Sequence, residues 1–164
     1  MIDLYEKLNS VSLATHSIFK EKGKTLSVAE SFTGGTISSS LIKISGASTF
    51  FNEGIVCYSN EAKNMRLGVD IDVINRYGAV SEKTAREMIK GLFNVPNPPD
   101  YAIATTGNAD VTLENSSIDG EAYVAVASDS EVIVKKIQFE GSRQENILLG
   151  AIIALETLND LVKK

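Results

Sequence analysis

The chain has 164 residues, 43% apolar and 23% charged, the profile of one soluble globular domain with a full core, and the expected unit spans residues 1–164. A net charge of -5 argues against nucleic acid as a partner, because binders of the phosphate backbone carry a basic face. One Cys and one His exclude an intrachain disulfide and a zinc centre of the usual kind, and the lack of a signal-peptide pattern or of ~18 successive apolar residues points to a cytoplasmic protein with no membrane partner.

In chain order, Leu4, Leu8, Val11, Leu13, Ala14, Ile18 and Phe19 have the spacing of an amphipathic helix over residues 3–21, closed by Gly23. Residues 25–29 read as a short buried strand. Gly34 and Gly35 follow, then helical character from Thr36 to Ile44, stopped by Gly46. Residues 50–58 form a strand centred on Ile55, Val56 and Cys57. A short helix over Asn60–Leu67, capped by Ser59 or Asn60, ends near Gly68. Ile71–Tyr77 adds a turn or two, and Ser81 caps a helix that runs to Ile89 and ends near Gly91.

Pro96, Pro98 and Pro99 make a rigid connection too short to link domains. Strands are expected at Tyr101–Thr106, Tyr123–Ser128 and Val132–Phe139, the last two joined as a hairpin through Asp129-Ser130-Glu131. A polar loop covers 107–120. The final helix opens on the capping-box pattern Ser142-Arg143-Gln144-Glu145 and runs to about Leu161. A hairpin requires antiparallel neighbours, while strand–helix–strand units favour parallel ones. The expected fold is therefore α/β, three-layer α/β/α, with a mixed sheet covered by helices on both faces.

Two segments can carry chemistry. Ser31 lies past a strand and before a helix, where free backbone N–H groups can hold a phosphate or an oxyanion. Gly34 and Gly35 allow a ligand close to the backbone, although Ser31 or Thr33 as a simple N-cap accounts for the same residues. Lys63 falls in the first turn of its helix, where the dipole disfavours a cation. The dipole supplies only about 1 kcal/mol, so a neutral amine also needs burial. A serine hydroxyl and a neutral lysine amine together make a hydrolytic pair with no metal and no histidine.

Around that pair, Tyr58 can orient the amine, stack on an aromatic ligand, or serve as a half-buried strand residue. Thr105 and Thr106, beside Gly107, can bond a ligand or cap a turn. Arg143 can grip a phosphate or carboxylate, or form a surface ion pair. His16 and Cys57 read as structural. Asp70, Asp72, Asp110, Glu114 and Asp119 lack metal-loop spacing, so no metal site is expected.

Taken in order, Ala29-Glu30-Ser31-Phe32-Thr33-Gly34-Gly35, Gly54 to Lys63, Leu67-Gly68-Val69, Gly78-Ala79-Val80-Ser81 and Phe139-Glu140-Gly141-Ser142-Arg143 resemble the CinA C-terminal domain family, the nicotinamide-nucleotide amidohydrolases. The resemblance implies hydrolysis of the carboxamide of nicotinamide mononucleotide to nicotinate mononucleotide and ammonia, with no cofactor. It implies catalytic roles for Ser31, Lys63 and Tyr58, with substrate contacts from Thr33, Gly34, Gly35, Thr105, Thr106, Gly107 and Arg143. Family members often carry a larger N-terminal molybdopterin-binding-like domain. The length of this chain leaves no room for one, which implies the stand-alone form, with a pyridine nucleotide as ligand and a homodimer as the expected assembly.

Two positions depart from the family pattern. Phe32 stands where a cysteine is usual, and is expected to reshape the pocket wall. Thr106-Gly107-Asn108-Ala109-Asp110 replaces a Ser-Gly-(Ile or Val)-Ala-Gly-Pro loop. The alternative expectation is accordingly a binding or interaction module of the same fold with weakened catalysis.

Overall fold

A computed structural model describes residues 1–112 and 117–164. Among these, the elements are α1 (Ile2–Lys22), β1 (Leu26–Glu30), α2 (Thr36–Ile42), β2 (Phe51–Val56), α3 (Asn60–Leu67), α4 (Ile71–Tyr77), α5 (Glu82–Phe93), β3 (Tyr101–Gly107), β4 (Glu121–Ser128), β5 (Val132–Gln138) and α6 (Arg143–Lys163). Glu114 lies outside the described residues.

The strands form one five-stranded sheet in the order β2-β1-β3-β4-β5. β1 pairs in parallel with both β2 and β3, while β4 runs antiparallel to β3 and β5. The sheet is therefore mixed, as the strand–helix–strand segments and the hairpin require. Helices α1, α2 and α6 cover one face and α3, α4 and α5 the other.

Side-chain alternation along the strands splits the core into two kinds of surface. Val28, Ile103, Val124 and Val126 face the layer built on Phe19, Leu41, Ile152 and Leu155. Ala29, Ala102, Ala104, Ala125 and Ala127 face α5, which brings Met88, Ile89 and Leu92. Small residues on that side let α5 lie close to the sheet.

Gly91 does not end α5, which continues to Phe93. A Cβ at Gly91 would stand 2.1 Å from the Leu67 carbonyl oxygen, so glycine is there for close approach to α3 rather than as a stop. α2 also stops at Ile42, earlier than its pattern suggests, and Gly46 leads into a short 3-10 turn at Ala47–Thr49. The cap signals fare better. Ser59, Ser81 and Ser142 each accept a backbone N–H at the start of a helix, and Ser142 with Glu145 completes the capping box.

The strand order has a functional consequence. The chain leaves β1 toward β2 on one side and returns to β3 on the other. The carboxyl ends of β1 and β3 thus flank a topological switch point, where open α/β sheets place ligands. Ser31 follows β1 and the 108–110 segment follows β3.

Candidate active site

β1 ends in Glu30, which is fully buried. Its carboxylate accepts the Gly35 and Ile37 N–H groups at 3.1 Å each, and the Ser38 N–H and hydroxyl at 2.8 and 2.7 Å. The N-terminus of α2 is thereby satisfied from within. The backbone donors expected there for a phosphate are occupied by Glu30. Gly34 and Gly35, with φ of 57° and 95°, turn the chain so that α2 can reach back to this carboxylate.

That turn orients Ser31. Its N–H donates to the Thr105 carbonyl at 3.1 Å, and Thr33 Oγ1 lies 2.8 Å from Thr105 Oγ1. Thr33 and Thr105 are buried, pinning β1 to β3 behind the serine. Among the described residues, the Phe32 and Thr33 N–H groups meet no protein acceptor.

α3 delivers the amine. Ser59 caps the helix through the Ala62 N–H, and Lys63 is only 1% exposed. Its Nζ lies 3.0 Å from Ser31 Oγ, 3.0 Å from the Cys57 carbonyl and 3.1 Å from the Tyr58 carbonyl. Among the described residues no carboxylate pairs with it. Burial pulls the Lys63 amine below its ordinary value of 10.5, with a smaller opposing pull from Cys57. Burial also pushes the Cys57 thiol up from 9.0, so it is protonated near neutrality and supplies no anion to hold an ammonium.

Three acceptors around Nζ suit either charge state, since an ammonium has three N–H donors. An uncharged lysine has two N–H donors and one lone pair. In that uncharged form the two carbonyls take the donors and the lone pair is left for the Ser31 hydroxyl, which then donates to Nζ, and burial of the amine favours this form.

Ser31 and Lys63 open into a cleft of about 220 Å³ lined also by Tyr58, Ala79, Val80, Thr106, Gly107, Asn108, Ala109, Ile118 and Arg143. Thr106 Oγ1 donates to the Ala79 carbonyl at 2.6 Å and fastens the two walls. Gly107 packs so tightly that a Cβ would meet the Ala122 Cβ at 2.5 Å. At the mouth, Arg143 donates through Nη1 to Asp110 Oδ2 at 2.8 Å and through Nη2 to Tyr58 Oη at 3.1 Å. These two bonds, Asp110 first, hold the guanidinium proton even more firmly than usual.

Thus Ser31, Lys63, Tyr58, Thr106, Gly107 and Arg143 come together at one cleft. The Tyr58 group that touches the amine is its carbonyl, while the residue is 62% exposed and its hydroxyl accepts from Arg143. Gly34 and Gly35 instead line a separate groove with Tyr5, Thr36 and Lys43, because Glu30 draws that turn away from the cleft. Thr33 and Thr105 stand behind the serine rather than on the cleft wall. Phe32 does not reshape the wall either. Its ring packs on Phe139 in the space that Gly150 leaves open on α6, where a Cβ would approach the Phe32 Cζ to 2.5 Å.

Two contributors carried no sequence signal of their role. Asn146 donates to the Ala109 and Gly141 carbonyls at 2.8 Å each, tying the cleft rim to the start of α6. Glu30 stands in the Ala29–Gly35 motif one residue past the strand expected at 25–29, and nothing local marks it as the acceptor for the start of α2.

The CinA C-terminal domain model matches residues 8–162. The chain belongs to this family. A CinA-like protein of Geobacter sulfurreducens is 38% identical over 152 residues, covering 92% of this chain and 36% of that protein. The chain spans about a third of the length of the curated relatives it matches. The crystal structure of the competence/damage inducible protein CihA from Agrobacterium tumefaciens superposes with a TM-score of 0.87 at 29% identity, covering 96% of each chain. A competence or damage-inducible protein from Enterobacter asburiae gives 0.86 at 27% identity, covering 94% of this chain and 98% of that one. The three-layer α/β fold of this CinA-family chain is thus shared with solved members. No helix among the described residues is long and apolar enough to cross a membrane.

Proposed function

We propose that this CinA-family domain is an amidohydrolase that deamidates the carboxamide of a pyridine nucleotide through a Ser31–Lys63 dyad, with nicotinamide mononucleotide as the form to assay. The observation that carries the reading is the buried Lys63 amine, 3.0 Å from Ser31 Oγ and without an anionic partner among the described residues.

In the first step Ser31 Oγ attacks the amide carbon while its proton passes to Lys63 Nζ. The oxyanion is assigned to the Phe32 and Thr33 N–H groups beside the nucleophile, which meet no protein acceptor among the described residues. Collapse breaks the C–N bond. Lys63 returns the proton to the departing nitrogen, which leaves as ammonia, and the acyl group stays on Ser31 as an ester. A water molecule then attacks the ester, gives its proton to Lys63, and releases the carboxylic acid. The proton goes back to Ser31 Oγ.

The Cys57 and Tyr58 carbonyls aim the amine through both states of this cycle, because an ammonium can donate to both and to Ser31 at once. At about 220 Å³ the cleft takes the carboxamide-bearing ring and leaves the rest of the ligand at the rim, beside Tyr58 and Arg143. The test is ammonia release from nicotinamide mononucleotide by purified protein. Stoichiometric formation of nicotinate mononucleotide is expected, and no ammonia at high enzyme concentration overturns the reading.

A further inference from the structure

We propose that Asp110 sets the specificity of this cleft by standing in the seat of an anionic ligand group, so that the site takes an uncharged ribosyl group in preference to a phosphate monoester. The inference rests on the preceding reading of the cleft as the seat of a pyridine nucleotide's carboxamide-bearing ring, with the rest of the ligand at the rim.

Lys63 and Arg143 are the cationic side chains that line the cleft. Lys63 is buried at its floor and spent on Ser31 and two carbonyls. Arg143 at the rim is therefore the group able to receive a ligand anion. Its guanidinium is already engaged at both ends, by the Asp110 carboxylate at 2.8 Å and the Tyr58 hydroxyl at 3.1 Å. The charge at the mouth is thus cancelled from inside the protein.

Asp110 is not free to leave with its loop. Its N–H donates to Asn108 Oδ1 at 3.1 Å, and its carbonyl accepts the Gly120 N–H at 2.7 Å. The preceding carbonyl, that of Ala109, accepts from the buried Asn146 at 2.8 Å. A phosphate arriving at Arg143 meets a carboxylate whose backbone is held on both sides. Two anions on one guanidinium repel, whereas a ribose hydroxyl can accept from the arginine and donate to Asp110 together. Both side chains of the pair are half exposed, at 43% and 48%, so solvent keeps the discrimination modest, about tenfold, and salt weakens it further.

The test is calorimetric titration with nicotinate mononucleotide and nicotinate riboside, neither of which has an amide to hydrolyse. The wild type is expected to bind the riboside at least as tightly as the mononucleotide. Asp110→Asn should tighten the mononucleotide about tenfold and leave the riboside within twofold. Adding Arg143→Gln to that variant should erase the gain. Asp110→Ser, which keeps a small polar group at the rim, gives the same comparison should the asparagine variant fold poorly. An equal change for both ligands, no change for the mononucleotide, a wild type that already prefers the mononucleotide, or binding of neither ligand overturns the proposal. The expected binding pattern in a protein that releases no ammonia supports the assignment and removes the hydrolytic reading alone.

Discussion

Glu30 and Ser38 share two hydrogen bonds, from the Ser38 N–H at 2.8 Å and its hydroxyl at 2.7 Å, with the carboxylate wholly out of solvent. The other oxygen of Glu30 receives the Gly35 and Ile37 N–H groups. One acidic side chain thus ends β1, caps α2, and sets the turn that carries Ser31 next to it. Glu30→Gln should be destabilising well beyond a surface change, because the new amide points donors at donors. A loss of about 3 kcal/mol is expected from urea unfolding, with a fall in ammonia release as Ser31 loses its support. A loss under about 1 kcal/mol contradicts this role.

Gly91 of α5 approaches the Leu67 carbonyl at the end of α3, the helix that holds Lys63. Adding one methyl group there forces the helices apart, since the atom in its way is backbone. Gly91→Ala should cost about 1–3 kcal/mol in stability despite the better helix propensity of alanine. Moving α3 shifts Nζ away from Ser31 Oγ, so the rate should drop more than the fold suffers. Unchanged stability in thermal or urea unfolding contradicts the packing argument.

Lys63 should leave a mark on both rate and stability as pH changes. Its folded value is lowered, so between that value and the ordinary 10.5 the unfolded chain binds the extra proton. Stability of the wild type relative to Lys63→Met should therefore rise with pH across that window, with the full penalty present below it. Activity should likewise fall as pH drops through the lowered value, because the amine must be neutral to accept the serine proton. Lys63→Met should slow ammonia release by about 10²–10⁴-fold. A pH-independent stability difference between the two proteins contradicts a depressed amine.

What was legible in the sequence followed from local chemistry. Ser59 and Gly68 bracket α3, Ser81 caps α5, and the Ser142–Glu145 box opens α6. The hairpin and the strand–helix–strand units implied a mixed sheet. What escaped depends on partners distant in the chain. Gly34 and Gly35 read as ligand-facing because nothing local shows that Glu30 bends them away. Phe32 read as a cleft residue because its resting place, beside Gly150 and Phe139, is more than a hundred residues downstream. Asn146 reaches the Ala109 carbonyl, and Arg143 reaches Asp110 and Tyr58, only once β3 and α6 are side by side. Gly91 looked like a helix stop because close helix contact and chain termination call for the same residue.

The most direct measurement compares ammonia release from nicotinamide mononucleotide by wild type and Ser31→Ala under identical conditions, with circular dichroism confirming that both are folded. Ser31 is nearly buried and its hydroxyl bonds only Lys63 among the described side chains, so its loss should leave the fold intact. Steady release is expected from the wild type, with a rate at least about 10³-fold lower in the variant. Comparable rates from the two proteins contradict a serine nucleophile activated by Lys63.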